Sequence, residues 1–340
     1  MQKKLIDGYK RKIDYLRLSI TDRCNLRCTY CMPESGVESL DREQLLTYEE
    51  LIRIIKILAD IGIKKIRLTG GEPLLRINLI SLLNSINKIK GIENISLTSN
   101  GILLKKYAHQ LYNTGVKGLN ISLDSLDPVK YKTITRGGSV DRVIQGIDEA
   151  LRVGFESVKV NVVLTNLIEK KDIIDFIKFS MEKSVIVRFI EMMPVTGLTA
   201  IECNKNILTP GDPKLKVKDI FSIMGEFGNY IKEEEAVRYG PAVNYKIPEG
   251  KGKIGFIFNE KTACTNCNRI RLTPRGGIKL CLFSSQEWDL KESIRSGRSD
   301  EEIKNNILNH IRVKPINREH EQANNNEVSR VSHYMNTIGG

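Results

Sequence analysis

Residues 15–31 read YLRLSITDRCNLRCTYC. The first part alternates, with Leu16, Leu18 and Ile20 apolar and Arg17 and Ser19 polar between them. A period of two predicts a strand over Tyr15–Thr21. Directly behind it stand Cys24, Cys28 and Cys31, spaced C-x3-C-x2-C. Thiolates that close together can share one metal cluster. A [4Fe–4S] cube takes four ligands, one per iron, so three cysteines leave one iron open to a small molecule. A zinc site is the alternative, but zinc motifs usually pair C-x2-C with a second such pair. The next cysteine here is Cys203, which alone reads as an incidental or buried residue.

Working outward, the strand pattern recurs with helical stretches between. Strands are predicted at Lys64–Thr69, Asn94–Thr98, Lys117–Leu123, Ser157–Val163 and Val185–Glu191. Helices are predicted at Tyr48–Ile61 behind a Thr47 cap, Leu75–Ile89, Leu103–Thr114, Val140–Val153 and Lys171–Glu182. Alternating βα units predict a parallel α/β fold, either doubly wound or a barrel. Parallel strands covered on both faces should be apolar on both. Here one face is polar in phase across five strands: Arg17, Ser19; Arg67, Thr69; Ser96, Thr98; Asn120, Ser122; Lys159, Asn161. An ordinary eight-stranded barrel fills its interior with branched apolar side chains. The pattern therefore predicts a wide, incomplete barrel with a polar bore, the alternative being a sheet with one solvated face. Thr69-Gly70-Gly71-Glu72-Pro73 ends the second strand as the cysteines end the first, so both are expected at one mouth.

The chain has 340 residues, of which 41% are hydrophobic and 28% charged, an ordinary globular profile with room for a large and a smaller domain. The net charge of +12 is spread along the chain, which disfavours a nucleic-acid partner while suiting an anionic substrate. The N-terminal stretch lacks the apolar core of a signal peptide, and no apolar run approaches membrane-spanning length. A cytoplasmic location is expected. Six of seven cysteines sit in two triplets, pointing to metal and not to disulfides.

Between 194 and 250, Pro and Gly punctuate a weaker pattern, and a boundary is expected near residue 225. Beyond it come Cys264, Cys267 and Cys281, spaced C-x2-C-x13-C. A second open cluster and a zinc site completed by His310 or His320 both fit this spacing. Arg269 and Arg271 lie two apart, so an extended segment would project both the same way. Two guanidiniums beside a metal suit phosphate or carboxylate, though a solvated charged face is also open. Helices are predicted at Lys291–Arg298 and Glu301–Ile311, and the chain ends in Gly339-Gly340, either a frayed end or a thin finger able to enter a crowded pocket.

The first triplet resembles the signature of radical S-adenosylmethionine (SAM) enzymes. The whole chain resembles one such family, the GTP 3′,8-cyclases of molybdenum cofactor biosynthesis. The segments that carry it are LRLSITDRCNLRCTYCMP, KIRLTGGEPLLR, ISLTSNGILL, LNISLDSLDP, VKVNVVLT, FIEMMP, GPAVNYKIP, KIGFIFNEKTACTNCNRIRLTPRGGIKLCL and the final Gly-Gly. Residues 198–217, with Cys203, depart from the family text.

The resemblance implies an incomplete (β/α)6 radical SAM barrel over 1–225 and an α+β domain over 226–340 that closes the open side. It implies two [4Fe–4S] clusters, one on Cys24, Cys28 and Cys31 and one on Cys264, Cys267 and Cys281. Tyr30, Gly71, Ser122 and Met193 match SAM positions. Arg17, Arg67, Thr98, Lys159, Arg269 and Arg271 match GTP positions, and four of these lie on the polar strand face. Arg17, Gly339 and Gly340 match catalytic positions. There is no G-x-x-x-x-G-K-[ST] motif, so scattered cations would hold the triphosphate. The implied reaction makes (8S)-3′,8-cyclo-7,8-dihydroguanosine 5′-triphosphate: a 5′-deoxyadenosyl radical takes the ribose C3′ hydrogen, and C3′ bonds to guanine C8. Implied partners are GTP, an electron donor of flavodoxin or ferredoxin type and a downstream cyclic pyranopterin monophosphate synthase. No nucleic-acid or membrane partner is expected, and a homodimer is left open. A radical SAM peptide- or haem-modifying enzyme with an auxiliary cluster is the alternative, though such proteins usually carry more C-terminal cysteines.

Overall fold

The computed structural model describes residues 4–193, 215–233, 242–258, 262–284, 286–317 and 335–338. Six βα units come first. The strands are β1 (Tyr15–Ser19), β2 (Lys65–Thr69), β3 (Asn94–Ser99), β4 (Val116–Ser122), β5 (Ser157–Leu164) and β6 (Ile186–Glu191). The helices are α1 (Tyr48–Asp60), α2 (Leu79–Asn87), α3 (Leu104–Asn113), α4 (Pro128–Thr135), α5 (Val140–Val153) and α6 (Lys170–Glu182), followed by α7 (Val217–Gly225). Every predicted strand is present to within two residues at each end. Thr47 caps α1 by accepting from the Glu50 N–H at 3.2 Å, while the Glu50 carboxylate accepts from the Thr47 N–H at 2.8 Å.

The helix predicted over 75–89 starts late. Pro73–Leu75 forms a 3-10 turn, and Asn78 sits at φ +59°, which breaks the chain before α2. Helix α4 was not predicted, although Asp127-Pro128 is a start signal: the Asp127 carboxylate accepts from the N–H groups of Val129 and Lys130 at 2.9 Å each, and proline takes the first helical position. The predicted helix over 291–298 runs Leu290–Arg295 and stops before Gly297 at φ +79°, while that over 301–311 runs Asp300–Ile311, capped by Ser299.

The remaining strands are β7 (Ile231–Lys232), β8 (Val243–Lys246), β9 (Lys253–Ile257), β10 (Arg269–Leu272), β11 (Gly277–Lys279) and β12 (Trp288–Asp289). The twelve strands among the described residues lie in one sheet, in the order β12-β11-β10-β1-β2-β3-β4-β5-β6-β9-β8-β7. The run from β10 to β9 is parallel, and the outer strands are antiparallel. Thus the C-terminal part donates a parallel strand to each side of the six-stranded unit. The sheet stays open, with β7 and β12 at its edges.

The apolar strand positions form the core with the helices. Leu16, Leu18, Ile66, Leu68, Leu97, Ile121, Val160 and Val162 are fully buried, as are Ile54, Ile55, Leu83 and Ile147 from the helices. The opposite face is polar yet enclosed: Ser19, Asn120 and Lys159 are 1%, 1% and 8% exposed. Arg17, Arg67, Thr98, Ser122 and Asn161 on the same face are half-buried, so none of these polar residues is fully solvated and the face fits the lining of a bore better than a solvated sheet face.

Candidate functional site

Register decides which polar residues meet. Arg17 is paired with Arg271 of β10 on one side and with Arg67 of β2 on the other, and Arg67 faces Ser96 of β3. One row of the bore therefore reads Arg271, Arg17, Arg67, Ser96. A second joins Thr98, Asn120 and Lys159, and a third Ser122, Asn161 and Arg188. Arg269 pairs with Tyr15, one strand step from the first row. The six nucleotide-matching residues thus share one surface. Arg188, on the strand without clean alternation, was missed; register with Asn161 puts it in the bore.

The electrostatics of this surface call for an anion. Burial, then the charges of Arg271 and Arg67, push the Arg17 guanidinium well below its ordinary value. Burial, then Arg269, brings Arg271 down to about 10. Arg67 is steadied by a 3.2 Å bond from its Nε to Ser96 Oγ and by the Tyr15 ring, whose centroid lies 5.5 Å away. On the same face Ser19 Oγ, Thr98 Oγ1, Asn120 Oδ1 and Asn161 Oδ1 are buried without a hydrogen-bond partner. Buried polar atoms are normally satisfied, so an orphaned set on one surface marks a place built for a polar ligand.

At the mouth, the loop after β1 carries Cys24, Cys28 and Cys31, all half-buried and none in a disulfide. Helix α4 holds this loop: Arg27 and Thr29 donate their N–H groups to the carbonyls of Thr135 and Ile134 at 3.1 and 2.9 Å. Arg136, at the helix end with φ +53°, donates to the carbonyls of Arg27 and Met32, each at 3.1 Å. The Gly70-Gly71-Glu72 segment lies against the same loop. Gly71 N–H donates to the Thr21 carbonyl at 2.7 Å and Glu72 N–H to the Arg23 carbonyl at 2.8 Å. A Cβ on Gly71 would stand 2.2 Å from the Arg23 carbonyl oxygen, so this close approach admits only glycine.

The Glu72 side chain turns inward. Its carboxylate accepts from Leu74 N–H, Ser99 Oγ and Asn100 N–H at 3.0, 2.9 and 2.7 Å, tying β2 to β3. Burial raises it to about 7 despite those bonds. Asp124, just past β4, accepts from Tyr30 Oη at 2.7 Å and from Val163 N–H at 2.9 Å, and burial raises it to about 6. It thereby fixes Tyr30 beside the cysteines. Ser122 ends β4, and Met193, two residues past β6, is half-buried. Asp124 went unpredicted, although its position behind a parallel strand was a usable signal. Among the described residues no three His, Cys, Asp or Glu side chains converge as a single ion would require.

The second triplet adjoins the arginine end of the row. Cys264 lies in the short helix α8 (Thr262–Thr265), Cys267 precedes β10 and Cys281 follows β11. Arg11 braces it, donating to the Cys264 carbonyl at 2.8 Å and to the carbonyls of Pro315 and Ile316 at 2.6 and 3.0 Å. Lys314, 2% exposed, donates to the Leu280 carbonyl. Burial raises the Cys267 thiol, but Lys314 and Arg269 outweigh it and bring the thiol to about 6, favouring the thiolate that binds metal. No sequence signal pointed to Lys314. His310 lies against the Trp288 ring, with centroids 5.6 Å apart, while His320 is outside the described residues. Cys203, Gly339 and Gly340 also lie outside them. Ile338, at the end of the short helix Met335–Ile338, is 1% exposed, and its carbonyl accepts from Arg271 at 3.3 Å.

Residues 18–180 match the family model of the Radical SAM superfamily, and residues 185–320 match Molybdenum Cofactor Synthesis C. A GTP 3′,8-cyclase of Thermodesulfovibrio yellowstonii is 44% identical over 336 residues, 98% of this chain and 99% of the relative. A GTP 3′,8-cyclase of Peptoclostridium acidaminophilum is 42% identical over 346 residues, covering 99% and 98%. Molybdenum cofactor biosynthesis protein 1 of Dictyostelium discoideum is 42% identical over 300 residues, 88% of this chain and 47% of the relative. Among solved structures, Streptococcus suis SuiB bound to S-adenosylmethionine aligns with TM-score 0.59 at 16% identity, covering 85% of this chain and 64% of that chain. That likeness shows the radical SAM fold alone. The near full-length relatives go further, and the chain belongs to the GTP 3′,8-cyclase family of radical SAM enzymes.

Proposed function

We propose that the chain converts GTP to (8S)-3′,8-cyclo-7,8-dihydroguanosine 5′-triphosphate within the polar bore. The observation that carries this reading is the in-register row Arg271, Arg17, Arg67 on three neighbouring strands, with orphaned polar atoms on the same face. Mutually repelling guanidiniums, Arg271 buried and Arg17 and Arg67 half-buried, suit a polyanion such as a triphosphate. Thr98 and Lys159 extend the grip along the second row, and Arg269 adds a cation beside the second triplet.

Family membership implies a [4Fe–4S] cluster and SAM. The donors at the mouth fit: Cys24, Cys28 and Cys31 would hold the cluster, and Tyr30, Gly71, Ser122 and Met193 would contact SAM. The chemistry supplied when both are bound is a carbon-centred radical able to take the C3′ hydrogen of the ribose. The chain's own work is to hold two ligands in contact and to keep water from the reacting carbon. Cys264, Cys267 and Cys281 would hold a second [4Fe–4S] cluster at the guanine end. Gly339 and Gly340 would act as catalytic residues in this reading, and the last described residue before them, Ile338, meets Arg271 through its carbonyl. In this reading residues 1–225 form the SAM-binding unit and 226–340 complete the nucleotide site. A flavodoxin- or ferredoxin-type donor, a cyclic pyranopterin monophosphate synthase acting next and a cytoplasmic setting follow from the same reading; no described helix is long and apolar enough to cross a membrane.

Anaerobic reconstitution tests the proposal. About eight irons per chain are expected for two cubes, and SAM, reductant and GTP together should give 5′-deoxyadenosine and the cyclised nucleotide. Zinc in place of iron at either triplet, or SAM cleavage that leaves GTP unchanged, would overturn it.

A further inference from the structure

Asn100 follows β3 directly, and its side chain reaches the first cysteine. Its Nδ2 lies 3.8 Å from Cys24 Sγ and 2.8 Å from Asn25 Oδ1. The orientation of the amide is fixed from the other side. The Ile102 N–H stands 3.1 Å from the second terminal atom of Asn100, and because that N–H can only donate, the atom facing it is Oδ1. The NH2 group is thereby turned toward the thiol. The backbone is held as well, since the Asn100 N–H donates to Glu72 Oε2 at 2.7 Å, and Glu72 is fully buried with Ser99 as a further donor. Glu72 N–H in turn holds the carbonyl of Arg23, the residue before Cys24. One rigid network thus fixes both the cysteine and the donor aimed at it.

We propose that Asn100 is a positioning residue that sets the reduction potential of the first cluster through an N–H···S bond to Cys24. This rests on Cys24 being a cluster ligand, as family membership implies. A cluster gains a negative charge on reduction, and a hydrogen bond to a ligating sulfur stabilises that added charge. Cys24 Sγ also accepts from the Leu26 N–H at 3.4 Å, but that donor is backbone and persists whatever residue stands at 100. The side chain of Asn100 is the adjustable donor.

The test is a potential titration of the reconstituted full chain by electron paramagnetic resonance, following the reduced signal that changes when SAM is added. Asn100→Ala removes the donor. At the wild-type midpoint its reduced-to-oxidised ratio should fall about tenfold, equivalent to a shift of about 59 mV for one electron. Asn100→Asp keeps an acceptor for the Ile102 N–H but turns a negative oxygen toward the sulfur, so its ratio should fall further than that of Ala. A purely structural role gives the reverse order, because Asp preserves the Ile102 bond that Ala loses. Midpoints equal to wild type in both variants, or an Asp midpoint nearer to wild type than Ala, overturn the proposal. A wild-type chain with no SAM-sensitive reduced signal would instead refute the family-based cofactor assignment, so the two failures are distinct.

Discussion

Replacing Arg17 with methionine should stabilise the ligand-free chain and weaken GTP binding, and the two magnitudes follow from the row in which Arg17 stands. Adjacent strands lie about 4.8 Å apart, so in-register guanidiniums on one face sit roughly 6 Å from each neighbour. At an effective dielectric of about 20, two unit charges at that distance repel by roughly 2–3 kcal/mol. Water and counterions in the bore reduce this, leaving a net gain of about 1–2 kcal/mol on removing the central charge, which for a chain of this length is a rise of about 1–3 °C in thermal midpoint. Methionine is unbranched and fills much of the same volume, so the cavity term is small. The repulsion exists with and without nucleotide, so it cancels from the affinity. What the variant loses on binding is a charge-assisted hydrogen bond to phosphate of about 1.5–3 kcal/mol, or about 10- to 150-fold in Kd. Calorimetric titration with GTP, a parallel SAM titration and a thermal melt together make the assay. SAM affinity should hold within about twofold. A lower melting temperature with GTP affinity unchanged would show that Arg17 is structural and that the row was misread.

Glu72 makes stability depend on pH. Its carboxyl titrates near 4.5 when unfolded and near 7 in the fold, so the folded chain keeps the proton longer and stability falls as pH rises through that window, by roughly 3 kcal/mol. Glu72→Gln should flatten the urea midpoint between pH 5 and 7.5, and an unchanged slope would mean the carboxyl is not neutral. Gly71→Ala should push the Arg23 carbonyl away and displace the cysteine loop; iron counting should then give about four irons per chain where the parent gives about eight, and full loading would show that the loop absorbs the clash. Cys281→Ser should leave 5′-deoxyadenosine formation intact while abolishing the product from GTP, and normal cyclisation by this variant would remove the second cluster from the mechanism.

The bore was legible because alternation is a local signal. Arg17, Arg67, Thr98, Asn120 and Lys159 could be assigned to one face from their own strands, and the register places them in rows. What could not be read is pairing between distant segments. Nothing near Arg269-Ile270-Arg271 says that it will lie parallel to residues 15–18, more than 250 positions earlier, because strand pairing at that range is set by the closure of the whole sheet. Helix α4 was missed for a different reason. Its pattern is only weakly amphipathic, since apolar Val129 stands on the exposed side while polar Thr135 is buried with Tyr131 and Ile134, so the Asp127-Pro128 cap was the single usable signal. Glu72, Asn100 and Lys314 escaped because a buried polar residue has the same letter as an exposed one until its partners are known.

Strands β9 and β10, which flank the six-stranded unit, explain how a polar sheet face survives in a parallel fold. With six strands alone, Arg17 on β1 and Arg188 on β6 would stand at the open sides of the sheet, where water would screen any ligand they held. Strand β10 covers the first side and brings Arg271; β9 covers the second and brings Gly255, whose missing side chain lets Arg188 and Asn244 approach the same spot. Covering the edges lowers the effective dielectric around the guanidiniums, which strengthens both their repulsion in the empty bore and their attraction for phosphate. Stability is thereby given up for affinity, and the same exchange recurs at Glu72 and Asp124, carboxyls that burial raises well above their ordinary values. The C-terminal part is therefore no separate appendage to the proposed nucleotide site: without β9 and β10 the cations of β1 and β6 would be ordinary solvated side chains.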